Sequence, residues 1–213
     1  MKLLLTSNGF NNNPIIKKEF LRLVGKDPSE IVVFLVNIAD RESKDWKHVE
    51  LNIQELEEIG VLPENITVFS LDKEVDKSDL EKMDVVFVCG GNTFEYLDRI
   101  KKTKLDSVVK EFVNKGGLYF GISAGSYVVC PTINAANWEP PDNNSVGLRD
   151  LSGLNLVSFL IVAHFEKKYH ATIEKSAAET EYPVIAINDN QAILVDGKDI
   201  RVIGPKDGDI NIF

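Results

Sequence analysis

Leu118-Tyr119-Phe120-Gly121-Ile122-Ser123-Ala124-Gly125-Ser126-Tyr127-Val128-Val129 opens as a short apolar run, turns on Gly-x-Ser-x-Gly and closes in a second apolar run. The first run, Leu118 to Ile122, suits a strand buried on both faces, and the second reads as helical. Strand, sharp turn and helix in that order are the context a nucleophile elbow requires. The glycines permit a tight turn and leave room around a strained Ser123, whose hydroxyl would project above the carboxyl edge of a sheet. The Ala124 N–H, at the helix start, would then face an oxyanion formed there. The same pattern also fits a βα turn that binds an anion or carries no chemistry.

Similar apolar runs recur on both sides of this stretch: Leu3 to Leu5, Ile31 to Val36, Ile66 to Phe69, Val85 to Val88, Leu160 to Ala163 and Val184 to Ile187. Helical spacing separates several of them. Trp46, Val49, Ile53, Leu56 and Ile59 repeat at intervals of three and four, and Asn13 to Val24 and Leu105 to Val113 read the same way. The alternation predicts an α/β fold, a mostly parallel sheet with helices on both faces. Near the C-terminus, Asp196-Gly197-Lys198 joins Gln191–Val195 to Asp199–Ile203 as an antiparallel hairpin expected to cap the sheet edge. Pro131 to Ser152 is polar and irregular, and a loop of that length in a compact domain is usually functional or mobile.

With 213 residues, 44% of them hydrophobic and 27% charged, the chain is expected to form a single domain over residues 1–213. Lys plus Arg number 24 against 33 Asp plus Glu, and the net charge of −9 offers no footprint for nucleic acid. The N-terminal apolar run is far too short for a signal-peptide core, and no stretch approaches a membrane span, so a protein acting away from membranes is expected. Two cysteines, Cys89 and Cys130, in a chain large enough to need no covalent staple suit a reducing cytoplasm. No metal-ligand spacing and no phosphate loop occurs, so neither metal nor cofactor is expected. The oligomeric state is left open, a homodimer included.

A second glycine turn, Gly90-Gly91-Asn92-Thr93, follows the run ending at Val88-Cys89. Gly91 would offer a second oxyanion N–H, and Gly90, Asn92 and Thr93 are candidates for contacting substrate; the plainer reading has Asn92 or Thr93 capping the next helix. A seryl nucleophile needs a base, and the chain holds His48, His164 and His170. His48 falls within an amphipathic helix and His170 among lysines and a tyrosine. His164 directly follows the buried run Leu160–Ala163, so it should emerge at a strand end and is the candidate base.

These residues, with Cys130-Pro131-Thr132-Ile133 and His164-Phe165, resemble the dipeptidase E (aspartyl dipeptidase) family of serine peptidases, whose relatives include cyanophycinase. The similarity runs in order over nearly the whole chain. It implies a class I glutamine amidotransferase-like, flavodoxin-like three-layer fold and metal-free hydrolysis of short peptides, typically with an acidic N-terminal residue. It also implies Ser123 as nucleophile, His164 as base, and Gly91 and Ala124 as oxyanion donors. Against the family pattern P-T-I-R-T-T-N-D, two of the departures bear on the site: Asn134 stands at the arginine and Trp138 at the aspartate assigned to the triad. The partner of the histidine is therefore open among Glu139, Glu166 and Asp189. The rival reading is a non-catalytic peptide or small-molecule binding module on the same fold, and a third is an esterase or amidase.

Overall fold

The computed structural model describes residues 1–205 and 211–213. In chain order its strands are β1 (Lys2–Thr6), β2 (Val33–Asn37), β3 (Ile66–Ser70), β4 (Val85–Val88), β5 (Leu118–Ile122), β6 (Leu160–Val162), β7 (Val184–Ala186), β8 (Ala192–Asp196), β9 (Asp199–Ile203) and β10 (Asn211–Ile212). The helices are α1 (Pro14–Val24), α2 (Trp46–Glu58), α3 (Lys77–Leu80), α4 (Thr93–Lys102), α5 (Leu105–Asn114), α6 (Ala124–Tyr127) and α7 (His170–Ala177). The main sheet has the order β3-β2-β4-β5-β1-β8-β9. Its first five members are parallel, and the hairpin β8–β9 adds antiparallel strands beyond β1, capping that edge as the Asp-Gly turn predicts.

Side chains on a strand alternate between faces, and here both faces are apolar. Leu4, Val33, Leu35, Val85, Phe87, Leu118 and Phe120 point to one side, where Phe10 and the buried residues of α1 and α2 meet them. Leu3, Leu5, Phe34, Val36, Val86, Val88 and Tyr119 point to the other, against α4, α5 and α6. This double burial is why the strands read as continuous apolar runs rather than alternating ones.

Two details differ from the sequence reading. The runs at Leu160 and Val184 do not join the main sheet; β6 and β7 pair in parallel with each other, and β10 pairs antiparallel with β7, in a separate sheet packed into the same core as α4 to α6. An apolar run records burial but not the sheet that receives it. The helix after Ser123 also stops at Tyr127. The carbonyls of Val128 and Val129 accept the N–H groups of Leu154 and Leu156, and Pro131 follows shortly after.

Candidate active site

Ser123 sits between β5 and α6 with φ 47° and ψ −108°. Such a conformation is costly for an L-residue and persists only where its surroundings hold it. They do so here. The Ser123 N–H donates to the Thr6 carbonyl at 2.9 Å, and its own carbonyl accepts from the N–H groups of Ser126 and Tyr127. Ser126 Oγ donates to the Thr6 and Gly121 carbonyls, and Tyr119 Oη donates to the Gly125 carbonyl at 2.7 Å. The two glycines serve proximity rather than unusual torsions. A Cβ on Gly121 would lie 2.6 Å from the Gly125 carbonyl oxygen, and one on Gly125 would lie 2.5 Å from the Val88 carbonyl oxygen.

His164 follows β6 in a left-handed conformation, φ 57°. Its position is set from both sides. The preceding residue, Ala163, donates its N–H to Tyr127 Oη at 3.0 Å, and the His164 N–H donates to Ser7 Oγ at 2.7 Å. The ring then spans two side chains: Nε2 lies 2.9 Å from Ser123 Oγ, and Nδ1 lies 2.7 Å from Asp189 Oδ1. Ser7 Oγ donates to the same carboxylate oxygen at 2.7 Å. The hydrogen bond from His164 pulls the Asp189 pKa down, partial burial opposes this, and the Ser7 bond helps it. An ionised carboxylate only accepts, so the ring proton resides on Nδ1 and leaves the Nε2 lone pair facing Ser123.

Among the described residues, Asp189 is the carboxylate hydrogen-bonded to the His164 ring. It lies in the turn after β7, held where the Asn11 side chain donates to its carbonyl and Asn13 donates to that of Asn190. Glu166 turns outward and pairs with Lys168 at 2.7 Å. Asn134 is exposed, and Trp138 packs against the core. His48 and His170 are both exposed, as their surroundings in sequence suggest. Ser7 was missed by sequence reasoning altogether. Its one signal is its position at the carboxyl end of an apolar strand.

The site opens into a cavity of about 760 Å³ at the carboxyl ends of β1, β2, β4 and β5, where open α/β sheets bind ligands. Gly90, Gly91, Asn92, Ser123 and His164 line it, and α2 forms its far wall. A Cβ on Gly91 would come within 2.9 Å of the Tyr96 ring, so only glycine fits there. Asn92 caps α4 by accepting the Glu95 N–H, and its amide donates to the Asn143 carbonyl. Thr93 is buried below the cavity, and its N–H donates to Asp142. The 131–152 loop is thus tied to the glycine turn, while the cavity wall comes from α2 and the loops after β1 and β2. Burial pushes the thiols of Cys89 and Cys130 up to about 12, so neither competes with Ser123 as a nucleophile.

No helix among the described residues is long and apolar enough to cross a membrane. Residues 3–203 match the model of Peptidase family S51. An uncharacterized peptidase of Listeria monocytogenes is 29% identical over 202 residues, 93% of this chain and 96% of that one. Peptidase E of Escherichia coli O1:K1 is 31% identical over 147 residues, 68% of this chain and 59% of that one. The crystal structure of a protein provisionally named Peptidase E from Listeria monocytogenes superposes with a TM-score of 0.78 at 26% identity, covering 96% of this chain and 98% of that one.

Proposed function

Because this chain belongs to peptidase family S51 and is a serine-type peptidase, we propose that it cleaves dipeptides and other short peptides by acyl transfer through Ser123, His164 and Asp189. The observation that carries the reading is the unbroken row of hydrogen bonds from Ser123 Oγ through the imidazole to Asp189. In the first step His164 Nε2 takes the hydroxyl proton while Ser123 Oγ attacks the scissile carbonyl. The oxyanion is received by the N–H groups of Ala124 and Gly91. Ala124 is the first residue of α6, where a backbone N–H has no partner within the helix, and Gly91 lines the cavity. His164 returns the proton to the leaving amine, then removes one from the water that releases the acyl group. Asp189 holds the ring in its working tautomer and stabilises the imidazolium. Gly90 and Asn92 line the substrate's side of the cavity, while Thr93 supports the turn from beneath. Two buried free thiols suit a reducing compartment, and a cytoplasmic location is part of this proposal.

Fluorophosphonate labelling and a dipeptide panel test the assignment. The wild-type protein should label at Ser123 and release amino acids, and Ser123→Ala should do neither. Hydrolysis by Ser123→Ala at the wild-type rate rejects Ser123 as the nucleophile.

A further inference from the structure

We propose that Glu55 makes this cavity select peptides whose N-terminal residue carries net positive charge, so that basic and neutral N-terminal residues are taken and acidic ones refused. The inference rests on the reading of this cavity as the peptide site. Its described lining includes the carboxylates of Asp45, Glu55, Glu58 and Glu95 and holds no lysine or arginine. Glu58 is paired with Lys17 and Glu95 with Arg99. Among the described residues, Glu55 has no direct ion pair of its own. It is half-buried on α2, and burial is the largest influence on its carboxyl, raising its pKa against the opposing pull of the nearby Lys17 and of the Asn12 and Phe10 N–H groups. A cation arriving from solvent relieves that cost by pairing with it.

The position of Glu55 favours contact with a substrate at Ser123. The point where a Cβ on Gly9 would stand lies 3.4 Å from Glu55 Oε2 and 3.2 Å from Ile122 Cδ1. One glycine therefore separates this carboxylate from the residue before Ser123. A second feature of the lining points the same way. Asn37 is 1% exposed, and its amide Nδ2 donates to the Phe69 carbonyl, which fixes the orientation and leaves Oδ1 without a partner. An acceptor left in that state calls for a donor, as an ammonium group is. A short peptide's fixed cation is its α-ammonium, so acidic lining draws that end inward. Asn134, at the position of the related family's arginine, is exposed and outside the lining, so no cation there receives an acidic side chain.

The test separates binding from turnover. Calorimetry on Ser123→Ala with Lys-Leu, Leu-Leu and Asp-Leu should rank them in that order, with Lys-Leu at least about tenfold tighter than Asp-Leu, the worth of one charge-assisted hydrogen bond. Adding Glu55→Gln, which keeps an acceptor for Phe10 and Asn12, should erase the gap. In the parent protein, protection of Ser123 from fluorophosphonate should follow the same order. Tighter binding of Asp-Leu, a gap that survives Glu55→Gln, or no binding of any of the three overturns the proposal. If the order holds while wild-type protein neither labels nor turns over, it is the catalytic reading that fails.

Discussion

Ser7, Asp189 and His164 form a knot in which each group fixes another. Ser7 Oγ accepts the His164 N–H and donates to the carboxylate that the imidazole also faces. Replacing Asp189 with asparagine keeps the shape but puts an amide where an acceptor-only group belongs, and the ring loses its imposed tautomer. Kcat should fall by roughly 10⁴-fold with KM little changed, read by steady-state hydrolysis of a cleaved dipeptide. The substitution also has a stability signature. Because the hydrogen bond from His164 lowers the Asp189 pKa in the folded protein, its contribution is complete above the ordinary carboxylate range of about 3.9 and is lost as pH falls through the lowered value. The difference in Tm between wild type and Asp189→Asn should therefore be largest near neutrality and shrink on acidification. A difference that grew as pH fell would contradict the role assigned to this carboxylate.

At the scale of elements, the elbow depends on three backbones approaching one another: β4, β5 and the start of α6. Gly125 allows α6 to touch the Val88 carbonyl, and the contact distances leave no space for a methyl group. Gly125→Ala should destabilise the protein by about 1–3 kcal/mol, the usual cost of overpacking, measured by urea denaturation. Because the displaced element carries the Ala124 N–H, fluorophosphonate labelling should slow in the same variant even where it remains folded. Wild-type stability combined with wild-type labelling would show that the turn tolerates the extra volume. The loop after β1 plays the complementary part, since Asn11 and Asn13 hold the Asp189 turn while Ser7 holds His164.

For the whole molecule, the sheet is a slab covered on both sides, and its deepest aromatic packing lies on the face of α1 and α2. Phe87 and Phe120 stack with ring centroids 4.6 Å apart, and Phe10 and Phe20 close around Phe120 at 4.8 and 5.6 Å. Phe120→Ala should cost about 3–5 kcal/mol in equilibrium unfolding, since the three remaining rings cannot collapse into the space that the fourth vacates. The site lies at the edge of this slab, fed from both sheets. Ser123 comes from the main sheet, and His164 and Asp189 come from the ends of β6 and β7 in the smaller one. Tyr127 Oη couples the two by accepting the Ala163 N–H at 3.0 Å.

Much of this was legible in the chain itself. Apolar runs of strand length, helical periodicities and the Asp196-Gly197 turn determined the α/β architecture and the edge hairpin, because burial on two faces and a tight turn each leave a local signature. Gly-x-Ser-x-Gly after a strand marked the elbow, since the serine and the two glycines that permit its close approaches fall within five residues. The membership of β6 and β7 in a second sheet, the role of Ser7 and the choice of Asp189 over Glu139 and Glu166 were decided only by tertiary structure. An acidic residue in a loop looks the same in sequence whether it meets water or an imidazole. What distinguishes Asp189 is its place in space, 25 residues along the chain from His164 yet 2.7 Å from its ring, brought there by the pairing of β6 with β7 and by the loop after β1.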